Sequence, residues 1–577
     1  MTAPLVPSEA RPPQGRPAYA WLKSYPKDVD WGAVIEPKPV YALLDEAVRR
    51  WPDKPAIDFL GRRTSYAELG QLVDRAATGL ARIGVGPGIK LGLFLPNCPY
   101  FVILYHAALK TGATVVNFNP LYAPDEIRHQ IEDSETDVIA TLDLAALYGK
   151  LDPLLGETRL ERLIVCPMAE ALPRPKRWFY QLAMRRHLVA PPRDERHVAF
   201  SELIDNEGGF EPPEIDPERA LALLQYTGGT TGVPKGAMLT HANVYINAQQ
   251  CRLWFPVGDD SADKQERMLG VLPLFHVFAM TVVMNWSLVV GAEMILLPRF
   301  ELKGLLKTIH AKKPTAFAGV PTLFTAINNH PRIADYDLSS LEFCISGGAP
   351  LPEEVRKRFE TITQAKLVEG YGLSEASPVV CCNPPLEEGR PGSVGLPYPG
   401  TVVEIREAEP PHRLLRQGEH GEICVRGPQV MAGYWKRPDE TAAAFIDHAF
   451  RTGDVGYLDP DGYCFITDRL KDMINAGGYK VYPRVVEEAI YRHPDVADCA
   501  VVGIADAYRG QTVKAFVVTK PGKTIADTDL TRFLADKLSP IELPKLYEFR
   551  DALPKTAVGK IDKKRLMAES SAERKPA

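Results

Sequence analysis

Between an apolar run, Leu221 to Leu224, and a helix signal at Thr240, the chain reads Tyr226-Thr-Gly-Gly-Thr-Thr-Gly-Val-Pro-Lys-Gly236. Three glycines, Gly228, Gly229 and Gly232, let the backbone approach a ligand and turn its N–H groups inward. Thr227, Thr230 and Thr231 add hydroxyl donors, and Lys235 adds a compact positive charge. A buried strand entering such a loop, with Thr240 capping a helix over His241 to Gln250 beyond it, predicts a phosphate cradle in an α/β frame. The spacing excludes a Walker A loop, which places its lysine between Gly and Ser or Thr; here Lys235 stands between Pro234 and Gly236.

The rest of the chain supplies that frame. A helical pattern over Pro39 to Arg50 leads to a strand over Lys54 to Leu60, and Tyr66 to Ile83 is amphipathic until Gly84-Val-Gly-Pro-Gly88 stops it. Lys90 to Leu95, Phe101 to Ala108 and Thr114 to Asn117 repeat strand, helix, strand, the rhythm of a parallel sheet covered by helices. With 577 residues, more than one core is expected. A net charge of −5 gives no basic surface for a nucleic acid, so small molecules are the expected partners. Nine scattered cysteines without a CxxC predict neither a zinc site nor a disulfide framework and fit a reducing, cytoplasmic setting.

Three stretches need separate readings. Met1 to Ala20 is rich in Pro and Ala without an apolar centre, which predicts a loose arm, taken as residues 1–30, and no signal peptide. Met268 to Ala292 carries no Asp, Glu, Lys or Arg over a length that would span a bilayer. Pro273, His276, Asn285 and Gly291 interrupt it, so a buried apolar wall is expected. Leu172 to Leu188 interleaves Lys176, Arg177, Arg185, Arg186 and His187 with Trp178, Phe179, Tyr180, Leu182 and Met184. That pattern suits a helix packed on the core by its apolar side, or one lying peripherally on the inner face of a membrane.

Further motifs follow the loop in order: Val271-Leu-Pro-Leu-Phe-His-Val277, Ser346-Gly-Gly-Ala-Pro350, Tyr371-Gly-Leu-Ser-Glu375, Arg451-Thr-Gly-Asp454, Asp468-Arg-Leu-Lys-Asp-Met-Ile474, Asn475-Ala-Gly-Gly-Tyr-Lys-Val-Tyr-Pro483 and Leu553-Pro-Lys-Thr-Ala-Val-Gly-Lys-Ile561. The ordered set closely resembles the adenylate-forming superfamily, which includes acyl-CoA synthetases, firefly luciferases and the adenylation domains of peptide synthetases. The resemblance implies an α/β chain in two parts. A large nucleotide-binding domain of parallel and mixed sheets with covering helices (31–468) precedes a small, mobile α+β domain (469–577).

It also implies roles. His276 lies near the reacting carboxylate; Gly348, Ala349 and Pro350 lie against adenine; Tyr371 stacks on it beside Gly372. Ser374, in place of the usual Thr, touches phosphate, and Glu375 reaches Mg2+. Asp454 accepts from both ribose hydroxyls, which suits a carboxylate with two acceptor oxygens. Arg469 contacts the nucleotide and Lys471 marks the hinge. Gly477 and Gly478 line a thiol channel, and Lys560 is the catalytic lysine. The expected reaction uses ATP, Mg2+ and coenzyme A to convert a medium- or long-chain fatty acid to its thioester. Dicarboxylate- and aromatic-acid–CoA ligases, and acyl-AMP ligases that load a carrier protein, share these motifs. Phe278 and Met280 are expected to line the acyl tunnel without setting its length, and nothing in the sequence sets an oligomeric state.

Overall fold

The strand and helix alternation builds two large sheets rather than one. The computed structural model describes residues 19–227, 234–255, 264–476, 479–506, 510–556 and 559–572. In the first sheet six strands run parallel, in the order Lys366–Gly372, Phe343–Ser346, Ala316–Gly319, Arg267–Gly270, Glu293–Leu296 and Pro55–Phe59. Antiparallel strands close both of its edges. The second sheet has a parallel centre, Leu221–Thr227, Thr114–Asn117, Lys90–Leu93, Val138–Leu142, Arg162–Cys166 and His197–Ala199. Strands buried on both faces need near-continuous apolar sequence, and Val138–Leu142 is buried at every position.

Apolar helices fill the space between the sheets. Helix Pro99–Lys110 is buried from Tyr100 to Leu109, as a helix hydrophobic on all sides must be. Helix His241–Trp254 packs on the Leu221–Thr227 and Lys235–Thr240 strands. The charge-free stretch Met268 to Ala292 supplies strand Arg267–Gly270 and a helical run from Val277 to Val290 with a π turn at Met280–Asn285. That run packs on helix His241–Trp254 and on its own strand, so its apolar surface faces protein. Among the described residues no helix is long and apolar enough to cross a membrane.

A smaller antiparallel sheet follows, with Ala449–Leu458 between Gly421–Arg426 and Cys464–Arg469. Beyond it a separate apolar cluster starts at Ile474 and includes Val486, Ile490, Val513, Val517 and Leu530. Strand Val496–Asp506 pairs antiparallel with Gly510–Thr519, and helix Asp527–Ala535 comes after both. The leucine spacing predicts this helix over Leu530 to Leu538; it spans Asp527–Ala535, a first and small difference. A second difference lies at the chain start: from Tyr19 to residue 30 the expected loose arm is packed, with Trp21 buried, stacked on Tyr19 and tilted against Trp31 of the following domain. Indole burial of this kind contributes roughly 2–3 kcal/mol per ring, enough to hold a short segment down.

A third difference bears on the site. The glycine-rich loop is not followed directly by a helix, because strand Lys235–Thr240 folds back antiparallel on Leu221–Thr227. Thr240 then caps helix His241–Trp254 through a capping box with Asn243. Leu221–Thr227 and Lys235–Thr240 are thus paired neighbours in the second sheet. Gly228, Gly229, Thr230, Thr231 and Gly232, expected to cradle phosphate, lie outside the described residues, as do Gly477 and Gly478.

Candidate active site

Strand ends of the first sheet, the small antiparallel sheet and the C-terminal segment meet at one place. Asp454, on strand Ala449–Leu458, is buried and sits directly opposite Arg469 in the strand register. Its Oδ1 lies 3.0 Å from Arg469 Nε, and its Oδ2 accepts a 2.6 Å hydrogen bond from the Tyr371 hydroxyl. Tyr371 reaches it from strand Lys366–Gly372 of the other sheet, and burial pushes its phenol well above the usual range. The expected diol acceptor and the expected aromatic platform are therefore in direct contact. Gly372 has a backbone reason: a Cβ there would stand 2.2 Å from the Pro378 carbonyl oxygen across a hairpin.

Lys560 arrives from the far end of the sequence. The Thr556 N–H donates to the Lys560 carbonyl (2.7 Å), the Lys560 N–H donates to Thr556 Oγ1 (3.2 Å), and Thr322 Oγ1 donates 2.8 Å to the Gly559 carbonyl. That last bond ties the turn to the start of helix Pro321–Asn328. Gly348 has φ +80°, and a Cβ on it would lie 2.8 Å from Lys560 Cε and 3.3 Å from Nζ. Burial, then the Arg469 guanidinium, pulls the Lys560 ammonium down to about 8; Asp454 opposes and Lys471 adds to the effect. Three cations, Lys560, Arg469 and Lys471, thus act on one another beside Asp454, an arrangement that favours a polyanionic ligand.

Glu375 interacts electrostatically with the same Arg469 and Asp454. Burial raises its carboxyl, and the Tyr434 hydroxyl donates a 2.9 Å hydrogen bond to Oε1. Tyr434 belongs to strand Gly433–Tyr434, paired with Lys235–Thr240, and Lys235 Nζ lies 5.2 Å from its ring centroid. Lys235 also pairs with Glu440 at 3.2 Å, and Thr227 Oγ1 donates to the Lys235 carbonyl at 3.5 Å across the strand pair. Behind it Asp133 accepts from the Tyr226 hydroxyl (2.6 Å) and pairs with Arg437 (2.7 Å). Tyr434, Thr322, Asp133 and Arg437 escaped the sequence reading, because a lone tyrosine or ion pair has no local signature.

His276 Nδ1 accepts the Phe278 N–H at 3.3 Å, which leaves the ring proton on Nε2. Burial, and then Lys560, pulls its imidazolium down to about 3, so near neutrality it is an uncharged donor. Phe278 lies against Gly347 of the loop Ser346 to Pro350, which also holds Ala349. Ser374 opens a short 3-10 turn to Ala376. A small apolar cavity, about large enough for one water, lies in the core without contact from Phe278 or Met280. Cys251, Phe255, Val282, Trp286, Phe317 and Phe343 line it, with Trp286 and Phe343 edge to face at 5.7 Å.

No cluster of three or more His, Cys, Asp or Glu exists among the described residues to hold a metal alone. A lone recessed carboxylate such as Glu375 instead fits Mg2+ that arrives mostly held by phosphates and water.

Gly348 offers a test. Alanine there incurs about 1–2 kcal/mol of left-handed strain and crowds the Lys560 side chain, so Gly348→Ala is expected to slow ATP–pyrophosphate exchange about tenfold. Conversion of a preformed acyl-adenylate should change little. Unimpaired exchange would contradict the placement of Lys560.

The AMP-binding enzyme model matches residues 44–435, and the AMP-binding enzyme C-terminal domain model matches residues 485–560. The chain is 43% identical to a long-chain-fatty-acid–CoA ligase of Bacillus subtilis, over 96% of this chain and 98% of that protein. It is 36% identical to the protein of the same name from Escherichia coli O157:H7, over 95% and 98%. Among solved structures, ATP-bound MatB from Rhodopseudomonas palustris superposes with a TM-score of 0.82 at 27% identity, covering 94% of this chain and all of that one.

Proposed function

Since the chain belongs to the AMP-binding enzyme family, we propose that it is an ATP-dependent ligase joining a medium- or long-chain fatty acid to coenzyme A. The observation that carries this reading is the meeting of Lys560, Arg469 and Lys471 with Asp454 and Glu375. Cations and a diol acceptor suit a nucleoside triphosphate; the fatty-acid part of the reading is supported by the 43% identity to a long-chain-fatty-acid–CoA ligase over 96% of the chain.

In the first step a carboxylate oxygen bonds to the α-phosphorus while the bond to pyrophosphate breaks. The obstacle is bringing two anions together and holding charge on the phosphorus oxygens. We assign Lys560 to those oxygens, neutral His276 to the acid as an Nε2–H donor, and Asp454 with Arg469 to the ribose side. Tyr371, Gly348, Ala349 and Pro350 would enclose the base. Thr227, Gly228, Gly229, Thr230, Thr231, Gly232, Lys235 and Ser374 would hold the departing phosphates. Glu375 would help to hold Mg2+ brought with the triphosphate, and the ion would supply charge neutralisation there. In the second step the thiol sulfur bonds to the acyl carbon, AMP leaves with the ester oxygen, and the thiol proton is lost. The domain boundary is placed at Asp468, with Lys471 as the hinge and Gly477 and Gly478 in the thiol path. We place the reaction in the cytoplasm, at the inner membrane face.

The test is thioester formation with ATP and coenzyme A across acetate, hexanoate, palmitate, stearate, pimelate and benzoate. A fatty-acid optimum is expected. Preference for pimelate or benzoate, or adenylate without thioester for every acid, would overturn the substrate or the acceptor respectively.

A further inference from the structure

Helix Arg174–Met184 has no buried residue. Its half-buried positions, Arg177, Tyr180 and Met184, recur at helical spacing and mark the side turned to the protein. Tyr180 packs against the main core, Lys176 Nζ donates 2.7 Å to the Leu60 carbonyl, and Arg177 pairs with Glu170 at 3.0 Å. At ~100° per residue, Trp178, Phe179 and Leu182 fall together on the opposite side. They are 76%, 75% and 69% exposed, the opposite of what an ordinary surface helix does with its large apolar side chains.

Cations surround this apolar tip. Arg174, Arg185 and Arg186 are exposed, and from Leu172 to Leu188 the chain has five Lys and Arg and no Asp or Glu, although its net charge is −5. Aromatic rings pointing outward within a rim of arginines match the chemistry of a bilayer surface, where rings settle at headgroup level and guanidinium groups reach phosphates. We propose that Arg174–Met184, with Arg185 and Arg186, is a docking surface for an anionic lipid leaflet, and that Trp178, Phe179 and Leu182 are its inserting side chains. The purpose of the contact rests on the fatty-acid reading, because a leaflet holds long-chain acids; the contact itself does not.

The test is co-sedimentation of the full chain with sucrose-loaded vesicles of phosphatidylcholine and phosphatidylglycerol, without ATP, acid or coenzyme A. Binding is expected to weaken with salt and to fall on vesicles of phosphatidylcholine alone. Arg185→Gln/Arg186→Gln should weaken it about fivefold per cation removed. Trp178→Ser/Phe179→Ser/Leu182→Ser should weaken it about tenfold or more. Unchanged melting temperature and unchanged thioester formation from hexanoate would confirm that these exposed changes leave the fold intact. Equal sedimentation of wild type and both variants would overturn the proposal. So would a change confined to the mass in gel filtration, which would identify a second copy as the occupant. Failure of vesicle binding leaves acid activation standing, and failure of the thioester assay leaves the lipid contact standing.

Discussion

Replacing Lys560 by alanine is expected to slow acyl-adenylate formation about 10²–10³-fold, the effect of removing one preorganised donor from a developing oxyanion. The half-reaction from preformed adenylate and coenzyme A should fall far less, because charge no longer accumulates on a pentavalent phosphorus. Single-turnover measurement of both halves separates the two roles. Arginine should not restore the first half, because its planar guanidinium spreads the charge over a fork and does not place it as a compact ammonium does. Equal loss in both halves would assign Lys560 to fold or binding instead.

The pH dependence follows from the same side chain. Burial and Arg469 bring its ammonium down to about 8, so the charge is present below that value and lost as pH rises through it. The alkaline limb of kcat/KM for adenylation, which reports the free enzyme, should therefore bend near pH 8. Bound triphosphate favours the charged form and should move the limb of kcat upward. His276, pulled down to about 3, cannot supply an acid limb between pH 5 and 7.

Local chemistry made much of this site legible before any coordinates. Strand Thr114–Asn117 has the bounds its valines predict, and Thr240 caps the helix it was expected to cap. The motifs carrying Asp454, Tyr371, Glu375 and Lys560 are contiguous strings, and although each alone reads as an ordinary turn or surface lysine, their order along the chain made the set legible. What stayed hidden depends on pairing across sequence. Strand Gly433–Tyr434 lies beside Lys235–Thr240, roughly two hundred residues away, and only that pairing brings the Tyr434 hydroxyl to Glu375. The helix Arg174–Met184 shows the same limit: periodicity gives the stripe of Trp178 and Leu182, but the Lys176 bond to Leu60 and the packing of Tyr180 decide which side faces out.

Glu375→Gln is the second large effect, about 10² in adenylation, with a raised Mg2+ requirement. The amide keeps the shape and an acceptor for Tyr434, so what is removed is the charge. Stability should move the other way. Burial raises the Glu375 carboxyl above its unfolded value, so ionising it costs folding free energy, and stability falls as pH rises through the folded pKa. A neutral glutamine escapes that cost, and its variant should melt no lower than wild type near neutrality. Thermal melts alongside Mg2+ titrations of pyrophosphate release give both readouts. A lower melting temperature with unimpaired adenylation would make Glu375 a structural partner of Tyr434 alone. A stable but inactive variant would mark it as a carboxylate kept at a cost to the fold for the metal that ATP brings.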